Sequence, residues 1–389
     1  MDDIVIVNYK RTPLGAFQGC LSSFSATDLG SFAIKGCINN INQNIKIDEV
    51  IMGCVLPAGL GQAPARQAAI KAGLDSSVNA VTVNKVCGSG MQSIIFASDS
   101  IKSGRNNIVI AGGMESMSNA PYIIPKARQG LRLGHNKLID HMFFDGLEDA
   151  YSNNKLMGEF AEDTAESYSF SRKDQDEYAQ NSAQKAQKNL SNLSKECIPI
   201  TIKTKKEEIV VSVDETPSKV NIAKIPTLRP AFKKDGTVTA ASSSSIADGA
   251  GAMLLMKRSN AEKLGLTPIA KIVATSSFSQ DPKWFTTAPI GAMKDLFAKT
   301  GWSPETTDLF EINEAFAVVA MSAIKDLNIN PNKVNIFGGA CALGHPLGAS
   351  GCRITITLIN ALISNGLKKG IASLCVGGGE ATGIAVEII

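Results

Sequence analysis

The chain has 389 residues, 44% hydrophobic and 19% charged, with a net charge of +3. That length suggests two or three domains with a large core, and so small a charge argues against a nucleic-acid partner. Aromatic residues make up only 6%, too few for a base-stacking platform, and no apolar run approaches the length of a membrane span.

In chain order, residues 4–7 read as a buried strand and 11–15 as a loop. A helix is expected from Ala26 to about Asn39, with Ser25 or Thr27 as its cap. Residues 39–44 are Asn-rich and read as a surface turn. A strand over 50–55 leads through Gly59-Leu60-Gly61-Gln62 into a helix over 63–72. The stretch Thr82-Val83-Asn84-Lys85-Val86-Cys87 is rich in β-branched residues and reads as a buried strand. Met91 to Ile101 has helical apolar spacing. Cys87, followed by Gly88-Ser89-Gly90, would therefore sit at a tight strand-to-helix turn. There the helix dipole is expected to favour the thiolate, the nucleophilic form of cysteine. Residues 107–111 are another strand, ending in Gly112-Gly113-Met114-Glu115-Ser116. Strands alternating with helices predict a layered α/β sheet.

From Met117 to about Ser245 the pattern changes to helices over 159–169 and 173–190 joined by long polar segments, as expected of an insertion. The alternation then resumes: strand 252–256, helix 260–264, strand 269–276, and helices 289–300 and 314–327. The last third echoes the first. Gly348-Ala349-Ser350-Gly351 leads a helix over 352–363, and a strand over 371–376 ends in Gly377-Gly378-Gly379. Two copies of one unit imply two similar halves, 1–117 with 246–268 and 269–389, packed as a pseudo-dimer around the inserted 118–245.

Eight cysteines occur without a Cys-x-x-Cys pair, and the only histidines are His135, His141 and His345. Ordinary zinc-ribbon and finger spacing is excluded, and no metal site is expected. The N-terminus is unlike a signal peptide and no disulfide framework is implied, so a reducing, cytoplasmic setting is expected. His345 stands in the glycine-dense loop Gly344-His345-Pro346-Leu347-Gly348, where the backbone can approach a ligand closely. His135 and His141 read as structural or surface residues. Cys375 ends a strand just before three glycines. Asn313, taken alone, reads as a helix N-cap.

Together, Val86-Cys87-Gly88-Ser89-Gly90, Gly112-Gly113-Met114-Glu115-Ser116, Asn313-Glu314-Ala315-Phe316-Ala317, Gly344-His345-Pro346-Leu347-Gly348 and Cys375-Val376-Gly377-Gly378-Gly379 resemble the thiolases, over essentially the whole chain. The resemblance implies an α/β fold of two similar α/β/α/β/α halves with an inserted loop domain. It implies acetyl-CoA C-acetyltransferase activity, the reversible Claisen condensation of two acetyl-CoA to acetoacetyl-CoA and CoA. A 3-ketoacyl-CoA thiolase of broader chain length is the alternative. Cys87 would be the acylated nucleophile and His345 its base. Asn313 would position a water, and Cys375 would be the acid/base at the α-carbon. The amides of Cys87 and Gly377 would form an oxyanion hole. Met157, Phe232, Ala240 and Ser244 would hold coenzyme A, with Ala315 and Phe316 lining the acyl side. No permanently bound cofactor is implied beyond the CoA thioester substrates, and a homotetramer, a dimer of dimers, is implied through the loop 126–134. The chain departs from the pattern at two places. Leu156 stands where acetyl-specific members usually carry histidine. Pro217 stands where an arginine often lies near the adenine, with Lys219 close enough to replace it.

Overall fold

The structure, a computed structural model, describes residues 2–39, 41, 45–153, 155–203 and 205–389; most of the polar turn expected over 39–44 lies outside them. The first half runs β1 (Ile4–Arg11), α1 (Ala26–Ile38), β2 (Glu49–Gly53), α2 (Pro64–Lys71), β3 (Asn79–Val83), α3 (Ser89–Lys102) and β4 (Ile108–Ser116). Ser25 is the α1 cap: its hydroxyl accepts from the Asp28 amide while the Asp28 carboxylate returns to the Ser25 amide. The insertion carries α4 (Met157–Tyr168) and α5 (Arg172–Lys188), and β5 (Ala247–Lys257) completes the half. The second half runs β6 (Ala270–Ser279), α6 (Ala288–Thr300), β7 (Leu309–Ile312), α7 (Ala317–Asp326), α8 (Leu347–Ser364), β8 (Lys369–Val376) and β9 (Glu380–Ile388).

Among the described residues, the main sheet has the order β7-β8-β9-β6-β1-β5-β4-β2-β3. Its seam is β1 against β6, joined antiparallel at only Val5↔Lys271 and Ile6↔Ala270. The order repeats outward from that seam. On one side β5 and β4 pair antiparallel, followed by parallel β2 and β3. On the other, β9 and β8 pair antiparallel, followed by parallel β7, and a parallel bridge from Phe310 to Val334 stands in the place of β3. This repetition is the pseudo-dimer.

Side-chain alternation along the strands builds the layers. Ile4 and Ile6 face a central core with Met91 and Ile94 of α3 and Ile354 and Leu358 of α8. Val5 and Val7 face outward to Leu29 and Ile34 of α1. In the second half Ala372 and Leu374 face the centre. Ile371 and Cys375 face Met293 of α6 and Val319 of α7. The central layer is thus α3 beside α8, with a sheet half on either side and outer helices beyond.

Four features differ from the sequence expectations. Strand β3 is not buried: Val81 is 42% exposed, because β3 ends the sheet and pairs on one side only. The helix α8 is long and apolar enough to cross a bilayer, but 89% of that span is buried in the protein, since both sheet halves cover it. The strand β9 was not anticipated. Finally, the Gly/Ser segments at 88–90 and 348–351 are not turns ahead of helices but lie in or against the first turns of α3 and α8. A Cβ on Gly90 would lie 2.7 Å from the Gly348 carbonyl oxygen, and one on Gly351 2.3 Å from the Met91 nitrogen. The two helices meet there backbone to backbone.

The insertion is anchored to the first half by Arg11, which is fully buried. Its guanidinium binds Glu196 at 2.5 Å and Asp214 at 2.6 and 2.8 Å. Charge-assisted bidentate geometry of this kind fixes orientation as well as contact.

Candidate active site

Cys87 sits between β3 and α3 on a turn closed by the Gly88 amide donating to Lys85 at 3.0 Å and the Ser89 amide donating to Val86 at 3.0 Å. Ser89 Oγ locks the turn from inside, accepting from the Lys85 amide at 2.8 Å and donating to the Val86 carbonyl at 2.7 Å. Val86 has φ +43°. A β-branched residue in the left-handed region is strained, and such strain persists only where surrounding bonds over-determine it. The expected strand-to-helix turn is therefore present and tightly held.

The expected thiolate is not. Burial pushes the Cys87 thiol up to about 11, against the downward pull of the Gly377 amide and of its own amide, and the Glu115 carboxylate pushes it further up. Desolvation outweighs the helix dipole here, so the resting sulfur is a thiol.

His345 comes from the other half, at 5% exposure. Its amide donates to Ser245 at 2.9 Å, and its Nδ1 meets Ser350 Oγ on the first turn of α8. Ser350 gives its own hydrogen to the Pro346 carbonyl at 2.9 Å. Its oxygen is therefore free to accept from Nδ1–H, which assigns the proton to Nδ1. His345 Nε2 is buried and has no partner among the described residues. Burial and the Arg353 charge hold the ring well below its usual pKa, at about 3, so the imidazole is neutral and Nε2 presents a lone pair.

Asn313 does not cap a helix, because α7 starts four residues later at Ala317. Instead its amide donates to Ser373 at 3.0 Å, and its side chain lies 3.5 Å from His345 Nδ1. Arg353 reaches Asn313 Oδ1 at 3.4 Å and Glu311 at 2.9 Å, both from within the core. Glu314 holds the same segment in place by accepting from Ser182 at 2.7 Å, Asn335 at 2.8 Å and Tyr178 at 3.0 Å. Cys375, at the end of β8, is 1% exposed. Its thiol is raised well above the ordinary range by burial and by the neighbouring Cys87.

A cavity of about 270 Å³ has Cys87, His345 and Gly377 in its lining, and Asn313 and Cys375 are not among its lining residues. Met157, Phe232, Ser244, Ala315 and Phe316 line it as well. Phe232 packs edge-on against Phe316 at 5.8 Å, and Phe316 against Phe285 at 6.5 Å. Lys219 and Ala240 are not brought to the cavity. Lys219 is ion-paired with Glu215 at 2.5 Å, and Ala240 is exposed. The sequence reading did not single out Phe143, Leu147, Phe285 and Leu347, which also form the wall, nor Ser350 and Arg353, which hold the histidine and the asparagine. Ser350 lay inside a quoted glycine segment. Arg353, a lone cation in the apolar run 352–363, was the one legible signal of a buried partner.

The arrangement offers one thiol, a neutral imidazole with a free nitrogen, and amides aimed at the sulfur around one largely apolar chamber, with a second thiol, Cys375, close enough to act on the first. Residues 4–259 match the family "Thiolase, N-terminal domain" and residues 266–388 the family "Thiolase, C-terminal domain". The chain is 46% identical over 391 residues to an acetyl-CoA acetyltransferase of Allochromatium vinosum, covering 99% of each. It is likewise 46% identical to acetyl-CoA acetyltransferase 2 of Arabidopsis thaliana, covering 100% of this chain and 97% of that one. Among solved structures, the acetyl-CoA acetyltransferase of Bacillus anthracis superposes with a TM-score of 0.96 at 38% identity, covering 100% and 99% of the two chains. The Acat5 thiolase of Ascaris suum, solved with coenzyme A, superposes at 0.93 with 41% identity and full coverage of both.

Proposed function

The chain belongs to the thiolase family of acyltransferases, and from that membership we propose that it is an acetyl-CoA C-acetyltransferase, condensing two acetyl-CoA reversibly into acetoacetyl-CoA and CoA. One observation carries the reading: Cys87 of one half and His345 of the other line a single cavity, with Cys375 near enough for the two sulfurs to act on each other.

In this reading the Cys87 sulfur attacks the thioester carbonyl as its proton passes to His345 Nε2. The amides of Cys87 and Gly377 receive the negative charge on the tetrahedral oxygen, and CoA leaves as its thiol. Cys375, left as a thiolate by giving its proton to the departing CoA sulfur, then takes the α-proton of the second acetyl-CoA. The enolate oxygen is met by His345 and by a water held on Asn313. The carbanion attacks acetyl-Cys87, and the Cys87 sulfur departs, taking its proton back from His345. Met157, Phe232 and Ser244 hold the CoA arm in the cavity, Ala315 and Phe316 bound the acyl side, and Lys219 and Ala240 serve the part of CoA beyond it. The apolar wall formed by Leu156 with Phe143 and Leu147 favours a second reading, in which longer 3-ketoacyl-CoA thioesters are also cleaved. Comparing kcat/KM on acetoacetyl-CoA and on a longer homologue separates the two. We further propose a cytoplasmic setting, and a homotetramer supported by Leu133 at 99% and Leu138 at 67% exposure on the segment before the cavity wall.

The test is incubation with acetyl-CoA followed by peptide mass spectrometry. An acetyl adduct on Cys87 is expected. Cys375→Ser is expected to keep the adduct while condensation falls on the order of 10²-fold or more, the range typical of lost acid–base catalysis. No adduct on Cys87, or condensation by the variant at the wild-type rate, overturns the assignment.

A further inference from the structure

Glu115 lies next to the end of β4 in the first half, is wholly buried, and has no cationic partner among the described residues. Its carboxylate instead accepts three backbone amides: Val55 at 3.0 Å, Leu56 at 3.1 Å and Gly348 at 2.8 Å. The third crosses to the other half. Gly348 is the second residue of α8, whose N-cap position is Pro346, a residue with no capping side chain. The first turn of that helix therefore relies on an acceptor from outside. Glu115 supplies it, and a carboxylate at a helix N-terminus is favoured further by the helix dipole.

The same turn of α8 carries Ser350, which orients the His345 ring. Contacts at this point have no slack: a Cβ on Gly348 would lie 2.8 Å from the Glu115 carboxylate, and one on Gly113, two residues before Glu115, 1.9 Å from the Gly348 oxygen. We propose that Glu115 is a positioning residue that caps α8 across the interface between the halves. It thereby sets the placement of His345 relative to Cys87. Burial raises Glu115 itself to about 7, so above that pH its charge adds to the burial that raises the Cys87 thiol. The titratable groups facing it are Cys54, whose Sγ lies 3.7 Å from the carboxylate, and Cys87. Cys375 acts on Cys87, and Arg353 acts on His345.

The inference rests on Cys87 and His345 acting as proposed above, and two substitutions separate its parts. Glu115→Gln removes the charge. Its turnover is expected to fall on the order of 10²-fold, the usual consequence of a misplaced catalytic group, while iodoacetamide alkylation of Cys87 between pH 8 and 9 becomes roughly threefold faster or more as the thiolate is released. A merely structural residue would not move these two rates in opposite directions. Glu115→Asp keeps the charge and withdraws it from Gly348, so turnover falls while the alkylation profile stays. Thermal melting identifies folded variants, and wild-type acetylation of Cys87 in the same experiment distinguishes failure here from failure of the functional reading. Turnover within twofold of wild type in either folded variant, or an unmoved alkylation profile in Glu115→Gln, overturns the proposal.

Discussion

Two amides pull the Cys87 sulfur toward the thiolate while burial and Glu115 push it to about 11, and His345 lies at about 3. With the acid so far above the base, the proton does not rest on the imidazole before attack, and transfer must accompany carbon–sulfur bond formation. The free thiol should therefore alkylate tenfold faster for each unit of pH between 7 and 10, because only the thiolate reacts and its fraction rises with pH until about 11. A rate that levels off below pH 8 would instead indicate a preformed thiolate–imidazolium pair. This inversion was not legible in the sequence. The turn glycines and the helix start after Cys87 are visible there, but the depth of burial, which decides the sign, belongs to the packed protein.

Among the elements, α3 and α8 carry the site because their first turns touch through glycine. Glycine is a poor helix former, so both segments read as turns, and the helices were expected to begin later than they do. The close approach overrides local propensity. Gly113→Ala would place a methyl 1.9 Å from a backbone oxygen, and is expected to destabilise by about 3 kcal/mol or more, the upper end of overpacking. Gly104→Ala has φ +77° but nothing within 4 Å, so it should cost about 1 kcal/mol of backbone strain. Urea denaturation of the two variants compares them directly. The strand–helix alternation was readable from hydrophobic period, and five short motifs located Cys87, His345 and Cys375. Asn313 taken alone read as a cap, and only its motif pointed to a place beside the histidine, because its neighbours, His345 and Arg353, lie 32 and 40 positions away in sequence.

For the whole molecule, neither half is a site alone: Cys87 belongs to one, and His345, Asn313 and Cys375 to the other. The internal echo of the two Gly/Ser helix starts makes that pairing legible in the sequence. The proposed tetramer makes its own demand at this scale. Leu133→Asp with Leu138→Asp should shift the mass measured by light scattering from tetramer to dimer while Cys87 is still acetylated, since the two residues are exposed; an unchanged tetramer would place the contact elsewhere.

Strand β1 has a consequence for synthesis. Its register partner runs from Gly251 to Lys257, so the opening residues leave the ribosome long before the strand that flanks them exists. At about 5–20 residues per second the wait is roughly 12–50 s. The apolar ribbon 4–7 must stay unpaired for that time, and Cys375 emerges later still. The unpaired ribbon is therefore open to aggregation until roughly two-thirds of the chain has been made, and slow codons placed ahead of residue 247 would lengthen that exposure.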